Sequence, residues 1–225
     1  MANQTILARG QRSRLADLGL GAQPFTISLS MQSGGLTVDA ACFGLDGQRK
    51  LSDERYMTFF NQPETPCGGV KQTAPNCFRF DLSRLPSTID AVVITLAIEG
   101  SGAMSSLGAC RATFDASAEF LFEGKFFASE RAIMLVELYR KDGQWRVSAV
   151  AQGFNGGLDA LVKHFGGTVQ TPAQPAPPPP PAPKVSLSKI TLTKPREVHR
   201  ISLEKTPSAP RKIVVKATWI DNGDG

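Results

Sequence analysis

The sequence has few of the residues that usually mark a metal or redox site. Its 225 residues include four cysteines and two histidines, and no two cysteines form a Cys-x-x-Cys pair. This scarcity argues against a structural zinc site. No secretory signal is visible at the N-terminus, so we expect a cytoplasmic protein whose cysteines are free thiols. No apolar run reaches the roughly 18 residues of a membrane helix, so we expect no transmembrane segment.

Catalytic motifs are equally scarce. There is no Gly-x-Ser-x-Gly elbow, and residues 1–167 contain one histidine, His164, that could serve as a base. The glycine-rich residues 153–157 lack the Lys-Ser/Thr of a phosphate-binding loop, which leaves a tight turn or a weak anion site before a helix. The sequence therefore predicts a protein that is not an enzyme. A carboxylate pair brought together by the fold is the alternative that stays open.

The net charge of +5 comes from one end of the chain. Residues 1–170 contain 16 basic and 16 acidic residues, whereas residues 171–225 contain 9 basic and 4 acidic residues. A neutral main part argues against a nucleic-acid-binding domain, which would carry a basic face. The basic tail is either a solvated surface or a contact for a polyanion or a partner protein.

A proline-rich segment divides the chain. Eight of the 13 residues 171–183 are proline, which favours an extended polyproline II conformation. We interpret it as a stiff spacer, with recognition by proline-binding modules as the alternative. The predicted organisation is a domain at 1–167, a linker at 168–184 and a β-rich basic tail at 185–225. The tail either packs on the domain or begins a second unit of a longer protein.

Alternating apolar residues predict an all-β fold, a β-sandwich with one short C-terminal helix. Asp-Gly at the centre of residues 141–144 predicts a type I′ hairpin turn. Leu158, Leu161, Val162 and Phe165 lie on one face of the predicted helix, residues 158–165. The predicted strands are residues 25–31, 36–45, 56–60, 77–82, 91–98, 110–122, 133–140 and 145–151, followed in the tail by 185–193, 198–203 and 212–219.

Carboxylates cluster along the second predicted strand, the turn after it and the approach to the third. Asp39, Asp46 and Asp53 lie close in sequence, and Asn61 follows at the end of the next strand. Carboxylate and amide oxygens are the ligands that calcium takes, six to eight at a time. These four residues are therefore candidate metal ligands. The alternative is that Asp46 and Asp53 only cap turns.

Three blocks in order resemble the bacterial tellurium-resistance and stress-protein family with its TerD-type domain. The first is residues 36–45 followed by the Ser-Asp-x-x-Tyr-Met-Thr-Phe-Phe-Asn-Gln run at 52–62. The second is Asp-Leu-Ser-Arg-Leu-Pro at 81–86, and the third is Glu-Leu-Tyr-Arg through Ala-Val-Ala-Gln-Gly at 137–153, followed by Gly-Leu. Ala151 stands where the family usually has glycine. The resemblance covers about residues 6–167.

The resemblance implies a β-sandwich and a cytoplasmic role in resistance to tellurite and related stress. It implies partners among other stress-resistance proteins, some of them membrane-associated, and calcium binding through acidic loops. Typical members carry a long acidic insertion where residues 71–76 of this chain have no carboxylate. We therefore expect at most weak calcium binding, with Asp39, Asp46, Asp53 and Asn61 as candidates in the matching blocks.

The tail resembles the opening strands of a second TerD-type unit. Divergent TerA-like members of the group carry two such units, so this chain is similar to a TerA-like protein. The basic tail also supports an alternative function, a protein- or polyanion-binding adaptor that acts across the proline-rich linker.

Overall fold

The computed structural model describes residues 4–167, and that part of the chain forms twelve strands and one α-helix. The predicted linker at 168–184 and the predicted tail strands at 185–225 lie outside the described residues. The helix, α1, is Gly157–His164. The strands are β1 Thr5–Leu7, β2 Arg12–Arg14, β3 Phe25–Met31, β4 Thr37–Leu45, β5 Met57–Thr58, β6 Val70–Ala74, β7 Cys77–Phe80, β8 Ala91–Glu99, β9 Ala109–Phe114, β10 Ala118–Glu123, β11 Ala132–Lys141 and β12 Gln144–Phe154.

The strands form two six-stranded sheets that pack face to face. The first sheet has the order β1-β10-β9-β3-β7-β6, and the second has the order β2-β12-β11-β8-β4-β5. All pairs are antiparallel except β1 with β10. Alternate side chains of both sheets meet in one core, rich in phenylalanine on the side of the first sheet: Phe25, Phe78, Phe80, Phe114, Phe120 and Phe122. Burying each of these rings contributes about 2 kcal/mol. The predicted β-sandwich is confirmed.

The second sheet is covered on both faces. Its inner face meets the first sheet, and part of its outer face is covered by α1 through Leu161, Val162 and Phe165. The Phe165 ring lies 5.2 Å from the ring of Phe43 on β4. Because β8 has neighbours on both faces, its first eight residues are all buried, and they are apolar except for Thr95 and do not alternate.

The predicted hairpin turn and helix are both confirmed. Asp142 and Gly143 have φ values of 53° and 73°, as a type I′ turn requires. The helix lies within one residue of its predicted bounds at each end. One detail of the helix prediction was wrong, because Leu158 is 46% exposed and does not share the buried face. Among residues 4–167, no helix is long and apolar enough to cross a membrane.

Two predicted strands were wrong in extent, and three short strands were missed. Residues 110–122, predicted as one strand, form the hairpin β9–β10, because Asp115 takes a positive φ of 44° and turns the chain. Residues 56–60 contribute only the two-residue β5, since a 3₁₀ turn precedes it and a tight turn follows. The short strands β1, β2 and β6 were missed because they lie at sheet edges and carry little apolar alternation. All four cysteines are free, as predicted.

Candidate functional site

An apolar hollow lies on the outer face of the second sheet, between α1 and the turn at residues 59–62. Its volume is about 350 Å³. We call it the outer groove and define it by its floor, its walls and its rim. The floor is Ala41, Thr95 and Ala97, the walls are Phe43, Met57, Phe59, Phe60, Leu158 and Val162, and the rim is Asp39 and Glu99.

Small side chains on two paired strands create the hollow. The register pairs Asp39 with Ala97 and Ala41 with Thr95, so alternate residues of β4 and β8 share the outer face. Further along the same face, Phe43 is buried under the helix. The hollow therefore forms where the outer face changes from the large side chain of Phe43 to the small ones of Ala41 and Ala97.

The turn at residues 59–62 presents Phe60 to solvent. Phe59 and Gln62 exchange backbone hydrogen bonds, N–H to O, of 3.0 and 2.9 Å. The Gln62 side-chain amide also donates to the backbone oxygens of Glu54 and Met57, which fastens the turn to the preceding segment. Phe60 is 72% exposed and packs edge-on against Phe59 at 5.7 Å. Its exposure is therefore set by a hydrogen-bonded turn.

The charge at the groove has one sign. Asp39 and Glu99 stand on its rim, and among residues 4–167 no lysine, arginine or histidine lines it. Within residues 4–167, neither carboxylate takes part in an ion pair. The groove therefore offers an apolar surface next to two anionic groups.

An open strand edge borders the groove. β5 pairs only with Cys42 and Phe43, so residues 37–41 of β4 have no described strand on that side. The backbone of Leu45 faces β8, because its oxygen accepts a hydrogen bond from the N–H of Asp90, the residue before β8. Because backbone groups alternate in direction along an antiparallel strand, those of Val38 and Ala40 face the open side. The backbone oxygen of Ala40 meets the side-chain amide of Gln72 there, at 3.5 Å.

Asp46, one of the four candidate metal ligands, closes the loop after β4. Its Oδ1 accepts hydrogen bonds from the backbone N–H groups of Gln48 and Lys50, at 2.8 and 3.0 Å. Chiefly because the Lys50 N–H stabilises the carboxylate, the pKa of Asp46 lies below its ordinary value. This is the turn-capping role that was the alternative to metal binding.

Asp53 caps the 3₁₀ turn Glu54–Tyr56. Its carboxylate accepts from the backbone N–H of Arg55 at 3.0 Å and from the Arg55 guanidinium at 2.8 Å. The pKa of Asp53 lies below its ordinary value, mainly because the carboxylate accepts a hydrogen bond from the Arg55 side chain. Asn61 is exposed in the turn at residues 59–62.

The four candidate ligands do not form one set. Asp39 and Asp46 lie at opposite ends of β4, seven residues apart, which is roughly 23 Å at 3.3 Å per residue. Within the described part of the chain, no three His, Cys, Asp or Glu side chains are grouped closely enough to hold a metal. These residues therefore do not fit a shared calcium site, and calcium binding stays a prediction.

The groove itself was not predicted from the sequence. Two signals were present: consecutive phenylalanines beside Asn-Gln, and a leucine at the start of the helix. Neither shows which residues face each other across β4 and β8. The structure places Asp39, one of the candidate metal ligands, on the groove rim. At residues 153–157, Gly157 has a φ of 65°, which supports the interpretation as a tight turn.

Comparisons with known proteins agree on one family. The TerD domain family model matches residues 3–165. The tellurium resistance protein TerA of Alcaligenes sp is 40% identical over 158 residues, which are 66% of this chain and 46% of that protein. This chain thus spans about half the length of that relative. The uncharacterized protein YceE of Bacillus subtilis is 31% identical over 71% of this chain and 96% of its own length.

A solved structure supports the fold. The crystal structure of a homologue of telluride resistance protein (TerD) from Streptomyces coelicolor covers 65% of this chain and 99% of its own. Its TM-score is 0.50 at 16% sequence identity. At this identity the likeness concerns the fold alone.

Proposed function

Because this chain belongs to the TerD domain family, we propose that it is a non-enzymatic, cytoplasmic stress-response protein that contributes to resistance to tellurite. The observation that carries the proposal is the family match over residues 3–165, which includes nearly all of the described sandwich. The 40% identical relative named as a tellurium resistance protein supports the kind of stress. The partners we propose are other stress-resistance proteins, membrane-associated ones among them.

The surroundings of His164 support the non-enzymatic part of the proposal. This histidine is exposed on the last turn of α1, with its ring 5.2 Å from the Phe154 ring and 5.4 Å from the Phe165 ring. Among residues 4–167, no carboxylate forms a hydrogen bond or an ion pair with it. A general base needs a group that orients it and a nucleophile within reach. The basic tail, which carries the adaptor alternative, lies outside the described residues.

Deleting the gene should sensitise the bacterium to tellurite. We expect the full chain, supplied from a plasmid, to raise the minimal inhibitory concentration of potassium tellurite several-fold over an empty vector. Growth without tellurite should be the same in both strains, which controls for a general growth defect. Equal inhibitory concentrations with and without the full chain would refute the proposed role.

Calcium binding should be weak at most. Asp46 and Asp53 already accept hydrogen bonds from their own loops, and calcium requires six to eight oxygens. We expect calorimetric titration of the full chain to show no saturable calcium binding below about 1 mM, which corresponds to about −4 kcal/mol. Saturation in the micromolar range, lost in the variant Asp46→Asn/Asp53→Asn, would show that these carboxylates do form a calcium site.

A further inference from the structure

We propose that the outer groove and the open edge of β4 together form a docking site for an extended, basic segment of a partner protein. The segment would add a strand beside residues 37–41 and place alternate apolar side chains in the groove. This inference goes beyond the proposed function, since it names a surface and the chemistry of its partner. It rests on three observations: an open edge, an apolar hollow and two carboxylates that form no ion pair within the described part of the chain.

The open edge supplies backbone hydrogen bonds. Val38 and Ala40 direct backbone groups away from β8, where β5 is too short to reach them. The Ala40 oxygen accepts a long hydrogen bond of 3.5 Å from the Gln72 side-chain amide, which an added strand would displace. Proteins usually protect such an edge with lysine, proline or a bulge. Residues 37–41 are Thr-Val-Asp-Ala-Ala and contain neither lysine nor proline; their one charged residue, Asp39, disfavours an acidic strand but not a basic one. An extended peptide can therefore pair with this edge, and main-chain bonds would supply affinity.

The hollow supplies the side-chain pockets. Residues 39 and 41 point to the outer face, so an added strand would share that face with the groove. A volume of about 350 Å³ is at the small end of the range for ligand pockets. Phe60 and Leu158 expose apolar surface at its walls, and covering them would release water from both. Phe60 is held in place before binding by its turn, which lowers the entropy cost of docking.

The carboxylates define the charge of the partner. Asp39 and Glu99 on the rim attract lysine or arginine, and none of the described residues that line the groove is basic and would repel them. The same carboxylates reject an acidic segment, because like charges placed together weaken association. The partner is therefore an alternating segment with large apolar residues on one face and lysine or arginine on the other.

Peptide binding tests the proposal. The probe is a fluorescein-labelled ten-residue peptide in which phenylalanine and isoleucine alternate with lysine and threonine, and its counterpart has glutamate in place of lysine. We expect the full chain to bind the lysine peptide saturably, and at least ~10-fold more tightly than the glutamate peptide, by fluorescence anisotropy. The double variant Asp39→Lys/Glu99→Lys should reverse this preference.

Matched variants separate the groove from general effects. Asp17→Lys/Glu123→Lys, at partly exposed residues outside the groove lining, makes the same change in net charge and should leave the preference intact. Ala41→Leu fills the floor, and Phe60→Ser removes a wall at an exposed position that should not affect folding. Each should weaken binding of the lysine peptide at least ~10-fold, provided that the circular dichroism spectrum and melting temperature match the wild type.

Three results would overturn the proposal. The first is no saturable binding of the lysine peptide by the wild-type chain up to about 1 mM. The second is equal binding by the wild type and by a folded Phe60→Ser variant. The third is a concentration-dependent dimer that Phe60→Ser dissociates, which would assign the surface to a second copy. Because peptide binding is measured on purified protein, failure of the tellurite assay would leave this inference standing. Failure of the peptide assay would likewise leave the proposed role in tellurite resistance standing.

Discussion

Gly124→Ala is expected to lower the free energy of unfolding by about 3 kcal/mol, because it inserts a methyl group where the backbone at residue 124 packs against the backbone of residues 105–107. A Cβ at residue 124 would lie 2.3 Å from the backbone oxygen of Leu107 and 2.4 Å from that of Ser105. The Gly124 N–H also donates to the Leu107 oxygen at 3.0 Å, which holds the two segments together. Backbone atoms cannot rotate out of the way as a side chain can, so one segment must move.

Gly47→Ala is the matched control. A Cβ at residue 47 would meet no atom within 4 Å, and its φ lies outside the left-handed region. We expect a change within about 0.5 kcal/mol. Urea unfolding, followed by far-UV circular dichroism, measures both variants. If Gly124→Ala unfolded at the same urea concentration as Gly47→Ala, the close packing at residues 105–107 and 124 would be wrong.

Ala151→Val is expected to destabilise the protein by about 3 kcal/mol or more, for two reasons that add. Ala151 has a φ of 47°, in the left-handed region that disfavours a branched Cβ. Its side chain is also fully buried in the core between the sheets. Its backbone oxygen accepts a 2.8 Å hydrogen bond from the Arg9 guanidinium, so a shift of the backbone would also disturb that contact.

Ala151→Gly is the informative counterpart. Glycine relieves the left-handed strain of about 1–2 kcal/mol, but it loses a buried methyl of about 0.8 kcal/mol and adds about 0.5–1 kcal/mol of backbone entropy to the unfolded chain. These contributions nearly cancel, so we expect a change within about 1 kcal/mol. Thermal unfolding by calorimetry ranks the pair. Equal melting temperatures for Ala151→Val and Ala151→Gly would contradict the positive φ.

Local rules predicted the parts of the fold that depend on neighbours in sequence. The hairpin at Asp142 and Gly143 follows from the type I′ turn that Asp-Gly favours between two strands. The phenylalanine core follows from alternation in β3, β7 and β10. The break at Asp115 was missed because the apolar pattern continues on both sides of it, and only the positive φ reveals the turn.

The candidate site depended on information that the sequence does not contain. The outer groove exists because Ala41 lies opposite Thr95 and Asp39 opposite Ala97, and a shift of the register by one residue would turn these side chains into the core. The position of Asp39 on the groove rim could not be separated in sequence from the turn-capping Asp46 and Asp53. Only the hydrogen bonds to Lys50 and Arg55 distinguish the two situations.

The most direct test asks whether tellurite resistance depends on the groove or on a catalytic group. The strain that lacks the gene would receive the full-length wild type, His164→Ala, Asp17→Lys or the double variant Asp39→Lys/Phe60→Ser, with equal protein levels checked by immunoblot. We predict that the first three restore growth on tellurite alike and that the double variant does not. Resistance lost with His164→Ala and kept with the double variant would contradict a non-enzymatic protein that acts through its outer groove.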